Sequence, residues 1–343
     1  MRPNKKEMNR IFLILFSNFL FFSAKSQNSI LDSLINIKDA ERIVSFLSSD
    51  SLKGRFTGTD EAKKATDYIV SEFKSAGLKP ISGYEDCLMP FLFKDKSTGN
   101  KVAYNVLAGL TGQSNPNEII IFSAHYDHLG TFSTNPYPSI HPEELKKKNT
   151  DTIYNGANDN ASGITALILL AKYFAALNNN NRTLIFVAFA GEELGLLGSI
   201  ALAEKVVPKQ TVAVINIEMI GRDSQGEGHP FITGKDFSNM GNLLNKELEK
   251  KDKVLFGKNF FRNDPYAEQK LFSRSDNYSF AKLGIPAHTI MLTTGTDKYY
   301  HSVNDEIGTI DFNVMIHTIR AIALSTEGLI IGSIAANRIL RNW

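Results

Sequence analysis

A single cysteine, Cys87, in 343 residues excludes an internal disulfide, so a fold outside the cytosol would rest on its core or on bound metal. Charge of one sign is also missing. Lys and Arg number 38 against 36 Asp and Glu, a net of +2, which lacks the basic footprint of a nucleic-acid binder. No His-Glu-x-x-His, Gly-x-Ser-x-Gly, phosphate loop or dinucleotide fingerprint occurs, which removes the reaction classes those motifs carry. Beyond the N-terminus no run reads as long and apolar enough to span a membrane. What is present, 43% hydrophobic and 22% charged residues, describes a globular chain with a sizeable core.

Arg2, Lys5, Lys6 and Arg10 precede the apolar run Ile11 to Phe22, and Ala24-Lys25-Ser26 supplies small residues. This pattern predicts a secretory signal peptide over 1–26, cut before Gln27. The run falls short of the ~18–20 residues a bilayer span needs, and no Cys near it would take a lipid. The expectation is export, periplasmic or extracellular, without a stable membrane anchor.

Helical spacing over Leu31 to Leu47 and Glu61 to Ala76 predicts two helices around the turn-like Ser51-Leu52-Lys53-Gly54-Arg55. Strands are predicted over 103–108 and, as a continuous apolar run buried on both faces, over 119–124. Helix and strand then alternate: helix 164–177, strand 183–190, helix 194–205, strand 212–218, helix 237–250, strand 287–292, and a closing helix in much of 313–340. That alternation predicts an α/β fold with a mostly parallel central sheet, with ligands beyond the strands' carboxyl ends. Residues 131–154 break the rhythm and read as a loop insertion, over the site or simply solvated.

Acids and histidines fall at those strand ends. His125 and Asp127 follow one strand, Glu192 and Glu193 another through Gly191, and Glu218 ends a third; Asp159 precedes a helix, and His301 follows the last strand. Taken singly, Asp159 reads as a helix cap and Glu193 as a first-turn carboxylate. Those readings leave unexplained a glutamate ending an apolar strand and a pair of carboxylates after another, because burying such charge is costly unless it is paired or bound to metal. Two histidines with several carboxylates suit zinc, or cobalt or manganese. His128 is expected in solvent or behind the ligands; His141, His229, His288 and His317 are expected in surface or packing roles, and nothing around Ser162 makes it a nucleophile.

The ordered series Leu52-Lys53-Gly54-Arg55, Ser123-Ala124-His125-Tyr126-Asp127, Asn158-Asp159-Asn160-Ala161-Ser162-Gly163, Phe189-Ala190-Gly191-Glu192-Glu193, Asn216-Ile217-Glu218-Met219-Ile220-Gly221-Arg222, Ser275-Asp276 and Tyr300-His301-Ser302-Val303-Asn304-Asp305 resembles the M28 zinc peptidases, co-catalytic aminopeptidases and their relatives. The resemblance implies one catalytic domain over 27–343, a phosphorylase/hydrolase-like three-layer α/β/α sandwich. It implies two zinc ions per chain: His125 and Glu218 on one, Glu193 and His301 on the other, Asp159 between them. Asp127 would orient His125, Glu192 would be the general base acting on the attacking water, and Tyr300 an oxyanion donor. The implied reaction is hydrolysis of the first peptide bond of substrates with a free N-terminus, a metallo-aminopeptidase activity.

Two departures stand out: Glu218 where many relatives carry Asp, and Asn277 where many carry His, which puts the local substrate wall in doubt. The resemblance also admits glutaminyl cyclases with one zinc, carboxypeptidases needing a cation such as Arg262 or Arg274, and receptor-like members that bind without catalysis. Retention of Glu192 and every ligand-type residue argues against the last.

Overall fold

The computed structural model describes residues 30–95, 99–134, 151–223, 226, 228–294 and 296–340. The signal-like segment 1–26 lies outside them, as does 135–150, most of the insertion. In chain order the strands are β1 (Lys79–Pro80), β2 (Leu88–Asp95), β3 (Gly99–Leu110), β4 (Asn115–His125), β5 (Gly130–Thr131), β6 (Ile153–Tyr154), β7 (Arg182–Phe189), β8 (Thr211–Glu218), β9 (Phe231–Ile232), β10 (Arg262–Asn263) and β11 (Ala287–Met291). The helices are α1 (Ile37–Leu47), α2 (Asp60–Ser75), α3 (Gly163–Leu177), α4 (Leu197–Ala203), α5 (Met240–Phe256), α6 (Asn277–Ala281) and α7 (Phe312–Ile331).

One mixed sheet runs in the order β1-β3-β7-β4-β8-β11-β9-β10, with β2 also paired to β3. Its central four strands, β7, β4, β8 and β11, are mutually parallel, and antiparallel strands close both flanks. Alternation along β4 divides the interior. Ile120, Phe122 and Ala124 face a core shared with Ile43, Ala65, Leu167, Leu244 and Ile319 of α1, α2, α3, α5 and α7. Ile121 faces a second core with Leu202 of α4 and Phe280 of α6. The sheet is therefore the middle of three layers.

Local chemistry sets several boundaries. Asn36 interrupts the helix expected over 31–47: its side chain accepts from the Asp39 amide and caps α1. Thr59 caps α2, and Asp311 caps α7 by accepting from the amides of Asn313 and Val314. The helix expected from 194 begins at Leu197, because residues 191–196 form a turn with Gly191 and Leu196 at positive φ. Strand β2 went unforeseen; Pro90 lies in it, tolerated because β2 pairs only with β3 and is an edge. The expectation that no later segment reaches membrane-spanning length and hydropathy is corrected: Ala157–Leu177 and Phe312–Ile331 both do. Each is mostly buried inside the protein, which explains the composition without a bilayer.

Strand β4 lies between β7 and β8, so the chain crosses to opposite sides of it in successive steps. The cleft at such a switch point opens at the strands' carboxyl ends. Register places His125 beside Phe189, and Glu218 beside Met291, so the segments leaving all four parallel strands emerge at one edge.

Candidate metal centre

His125 and Glu218 end parallel strands, Asp127, Glu192 and Glu193 follow such strands directly, Tyr300 and His301 come from the loop beyond β11, and Asp159 from the turn that precedes α3. His125 is the last residue of β4 and is fully buried. Its Nδ1 lies 3.1 Å from the Asp127 main-chain oxygen. A carbonyl only accepts, so Nδ1 carries the proton and the Nε2 lone pair points elsewhere. Nε2 is buried without a hydrogen-bond partner, 3.3 Å from Asp159 Oδ1. Lone pair facing carboxylate across that gap is repulsive unless a cation or proton stands between them.

The same arrangement recurs on the other side. His301 Nε2 is 3.4 Å from Asp159 Oδ2 and 3.2 Å from Glu193 Oε2. Two ligands on one tetrahedral ion with bonds of ~2.0–2.1 Å stand roughly 3.3–3.4 Å apart, a spacing that these three separations would give to ligand pairs if an ion were bound. Asp159 turns one oxygen to each histidine, the geometry of a bridge between two ions. Glu218 Oε2 is a further buried oxygen without a partner, and His125, Glu192 and Glu218 converge. His125 and Glu218 could hold one ion; Asp159 and Glu193 gather with His128 in a second group, and His301 reaches the same two carboxylates.

His128 belongs to the same group but plays a different part. It is completely buried, not solvated, and its Nδ1 is 2.7 Å from Glu193 Oε1. That distance is a hydrogen bond, although His128 also converges with Asp159 and Glu193 as ligand-type side chains. His128 therefore donates to one Glu193 oxygen and leaves Oε2 turned toward His301.

The Asp127 carboxylate does less for His125 than expected. Its Oδ1 is 3.8 Å from Nδ1, because both oxygens are engaged elsewhere: Thr57 donates to Oδ2 at 2.8 Å and the Glu192 amide to Oδ1 at 3.2 Å. Asp127 thus orients His125 through its carbonyl and fixes the Glu192 turn through its side chain. Asp159 is held by Asp305, which accepts from the amides of Asn158 and Asp159 and pairs with Arg222 at 2.7 Å. Ser162 donates to the Asn158 carbonyl and accepts from the Ile220 amide, a bracing role that joins the Asp159 turn to the end of β8.

Acidity records the crowding. Burial foremost, then the Asp159 and Glu193 charges, pushes Glu218 up to about 7. Burial likewise raises Glu192 well above its ordinary value, with Glu218, Glu193 and Asp276 adding to it. Burial and the Asp159 charge oppose ionisation of Glu193, yet hydrogen bonds from His128 and His301 outweigh them and bring it down to about 2. Asp276, behind the site, is raised to about 7 by burial and then by Asp127 and Glu218.

The cluster floors a cavity of about 520 Å³ walled by Leu271, Arg274, Tyr278, Met291 and Tyr300. The Tyr300 ring stacks on His301 at 3.8 Å, and burial holds its phenol protonated far above neutral pH. Asn277 is not part of the wall: it is buried and bonded to Phe272, Ala287 and Thr289. Arg262 is tied to the His229 carbonyl and does not line the cavity, whereas Arg274 does. His288 and His317 pack against Phe272 and Phe256; His141 falls outside the described residues.

The sequence profile of peptidase family M28 matches residues 105–326. The chain belongs to that family. Among M28 relatives it is similar to a probable leucine aminopeptidase of Trichophyton verrucosum, 28% identical over 65% of this chain and 56% of that one. The chain therefore spans little more than half the length of that relative. The fold matches an aminopeptidase from Aneurinibacillus sp. strain AM-1 with TM-score 0.65 at 17% identity, covering 92% of this chain and 98% of that one. A glutaminyl cyclase from Porphyromonas gingivalis also matches, with TM-score 0.64 at 17% identity and 86% and 98% covered. These likenesses carry the M28 α/β/α fold.

Proposed function

We propose that this M28 protein is a zinc-dependent aminopeptidase that removes the first residue of peptides with a free N-terminus. The observation that supports it most is Asp159, whose two oxygens face His125 at 3.3 Å and His301 at 3.4 Å, the arrangement two co-catalytic ions require. His125, Glu218 and Asp159 would hold one zinc, and His301, Glu193 and Asp159 the other. Bound there, zinc supplies Lewis acidity toward the scissile carbonyl and toward water.

The chain's own groups do the rest. Glu192, raised well above its ordinary value by burial and by its acidic neighbours, accepts the proton of the attacking water and returns it to the leaving amine. The Tyr300 hydroxyl, protonated and on the cavity wall, donates to the carbonyl oxygen as charge gathers there. Four carboxylates on the cavity floor favour the end of the peptide that carries the amine.

Metal content, paired with cleavage of a free and an N-acetylated peptide, tests this reading. Two zinc ions and cleavage of the free peptide alone support it. Cleavage of both at one rate overturns it, and conversion of N-terminal glutamine to pyroglutamate without release of an amino acid puts the cyclase reading in its place.

Export rests on the basic start and apolar run before Gln27. N-terminal sequencing of the native protein tests it: a start at or near Gln27 supports export, and an intact Met1 overturns it.

A further inference from the structure

The cavity above the metal centre has two chemically opposed sides. Its floor is Asp159, Glu192, Glu193 and Glu218, and its wall carries two cations, Arg274 and Lys282. Neither cation makes an ion pair with a carboxylate among the described residues. Arg274 instead reaches the Tyr300 hydroxyl, Nη2 to Oη 3.3 Å, and Lys282 rests its ammonium 5.1 Å from the centre of the Tyr278 ring. Both residues are exposed and line the cavity. Positive charges held by neutral aromatic partners beside a pocket keep their capacity to bind an anion.

We propose that Arg274, with Lys282 on the same cavity wall, binds the C-terminal carboxylate of the substrate, so that the protein favours dipeptides and tripeptides. The proposal rests on the aminopeptidase reading, which puts the other end of the peptide at the metal centre. Size agrees. About 520 Å³ lies within the ~300–1,000 Å³ of pockets that enclose a small ligand. Reach agrees as well, because Arg274 touches Tyr300 and Tyr300 lies on His301 at 3.8 Å. The guanidinium is thus one phenol and one imidazole from the ligand cluster, and a peptide spans ~3.3–3.6 Å per residue. A dipeptide or tripeptide bridges that gap. A longer chain, its carboxylate elsewhere, would leave the cations unpaired and gain nothing from them.

The test compares leucylglycine with leucylglycinamide, which differ only in the terminal charge. KM for the amide should be about tenfold higher or more, the worth of a charge-assisted hydrogen bond. Arg274→Met should abolish the difference, and Lys282→Met should reduce it. Because each protein is read as an acid-to-amide ratio, partial loss of folded enzyme cancels. Binding of the same two ligands to zinc-loaded Glu192→Gln protein, by calorimetry, gives the ratio without turnover. Equal KM or equal affinity for acid and amide in the parent protein, or a ratio unchanged by Arg274→Met, overturns the clamp. Acetyl-leucylglycine separates the two claims: if it is cleaved as fast as leucylglycine while the acid preference persists, the clamp stands and the aminopeptidase reading falls.

Discussion

His128 and Glu193 meet at 2.7 Å, ring nitrogen to carboxylate oxygen, with the histidine fully enclosed. The bond turns the other Glu193 oxygen toward His301, so under the proposed two-zinc reading it would act on metal affinity through Glu193. His128→Gln should weaken the second zinc by about 10–100-fold, the usual cost of losing the partner of a ligand. Titration of metal-free protein against a competing chelator reads it. Unchanged affinity for both ions would remove His128 from this role.

Glu192→Gln should retain both metals and lower turnover by ~10²-fold or more, because an amide cannot take up the proton. Elemental analysis and kcat on the same preparation check the two halves. Turnover near the parent value would assign the base elsewhere.

The crowded carboxyls make metal-free stability depend on pH. Glu218 and Asp276 both rise to about 7 on folding, from ordinary values of 4.5 and 3.8. The folded state therefore holds their protons more tightly than the unfolded chain does, and this contribution is full below the unfolded values and lost as pH climbs through 7. The melting temperature of metal-free protein should fall between about pH 5 and about pH 8. Zinc should remove most of that decline. A metal-free profile that is flat or rising over this window would contradict the assignment.

Gly54 should tolerate no side chain. It has φ +69, and a Cβ there would collide with the carbonyl oxygens of Gly130 and Tyr154 in the β5–β6 ribbon. Gly54→Ala should cost about 1–3 kcal/mol from backbone strain and more from the collision. A melting curve like that of the parent would refute the close approach.

Much of this was legible from sequence wherever burial left a local imprint. The run Ile119 to Ala124 is apolar on both faces because β4 is central, and acids directly after apolar strands stand out by their cost. Strand β2 leaves no such mark, since edge position lets it keep Pro90 and exposed residues. The work of His128, Asp305 and Arg222 was hidden for another reason. Their partners lie 65 to 147 residues away, so no local pattern announces them. The His128 signal was only its place three residues after His125, and the Asp305 signal only its membership of an M28-like string. Asp127 shows the converse: its position was clear, while the division of its carboxylate between Thr57 and Glu192 arises from packing.

Arg55 gives the N-terminal segment a task in assembly. Its guanidinium is enclosed and donates to the carbonyls of Tyr126, Asn155 and Gly156, 71, 100 and 101 residues downstream. One further acceptor, the Leu47 carbonyl, lies upstream in the first helix, so the guanidinium joins that helix to the distant loops and is fully satisfied only when both are in place. The first helices are thereby tied to the strand ends through Tyr126, Asn155 and Gly156. A fragment starting at residue 105 would carry every ligand, yet three inward-facing carbonyls beside His125 and Asp159 would have lost their common donor, and the loops that carry the metal would have nothing to lock them.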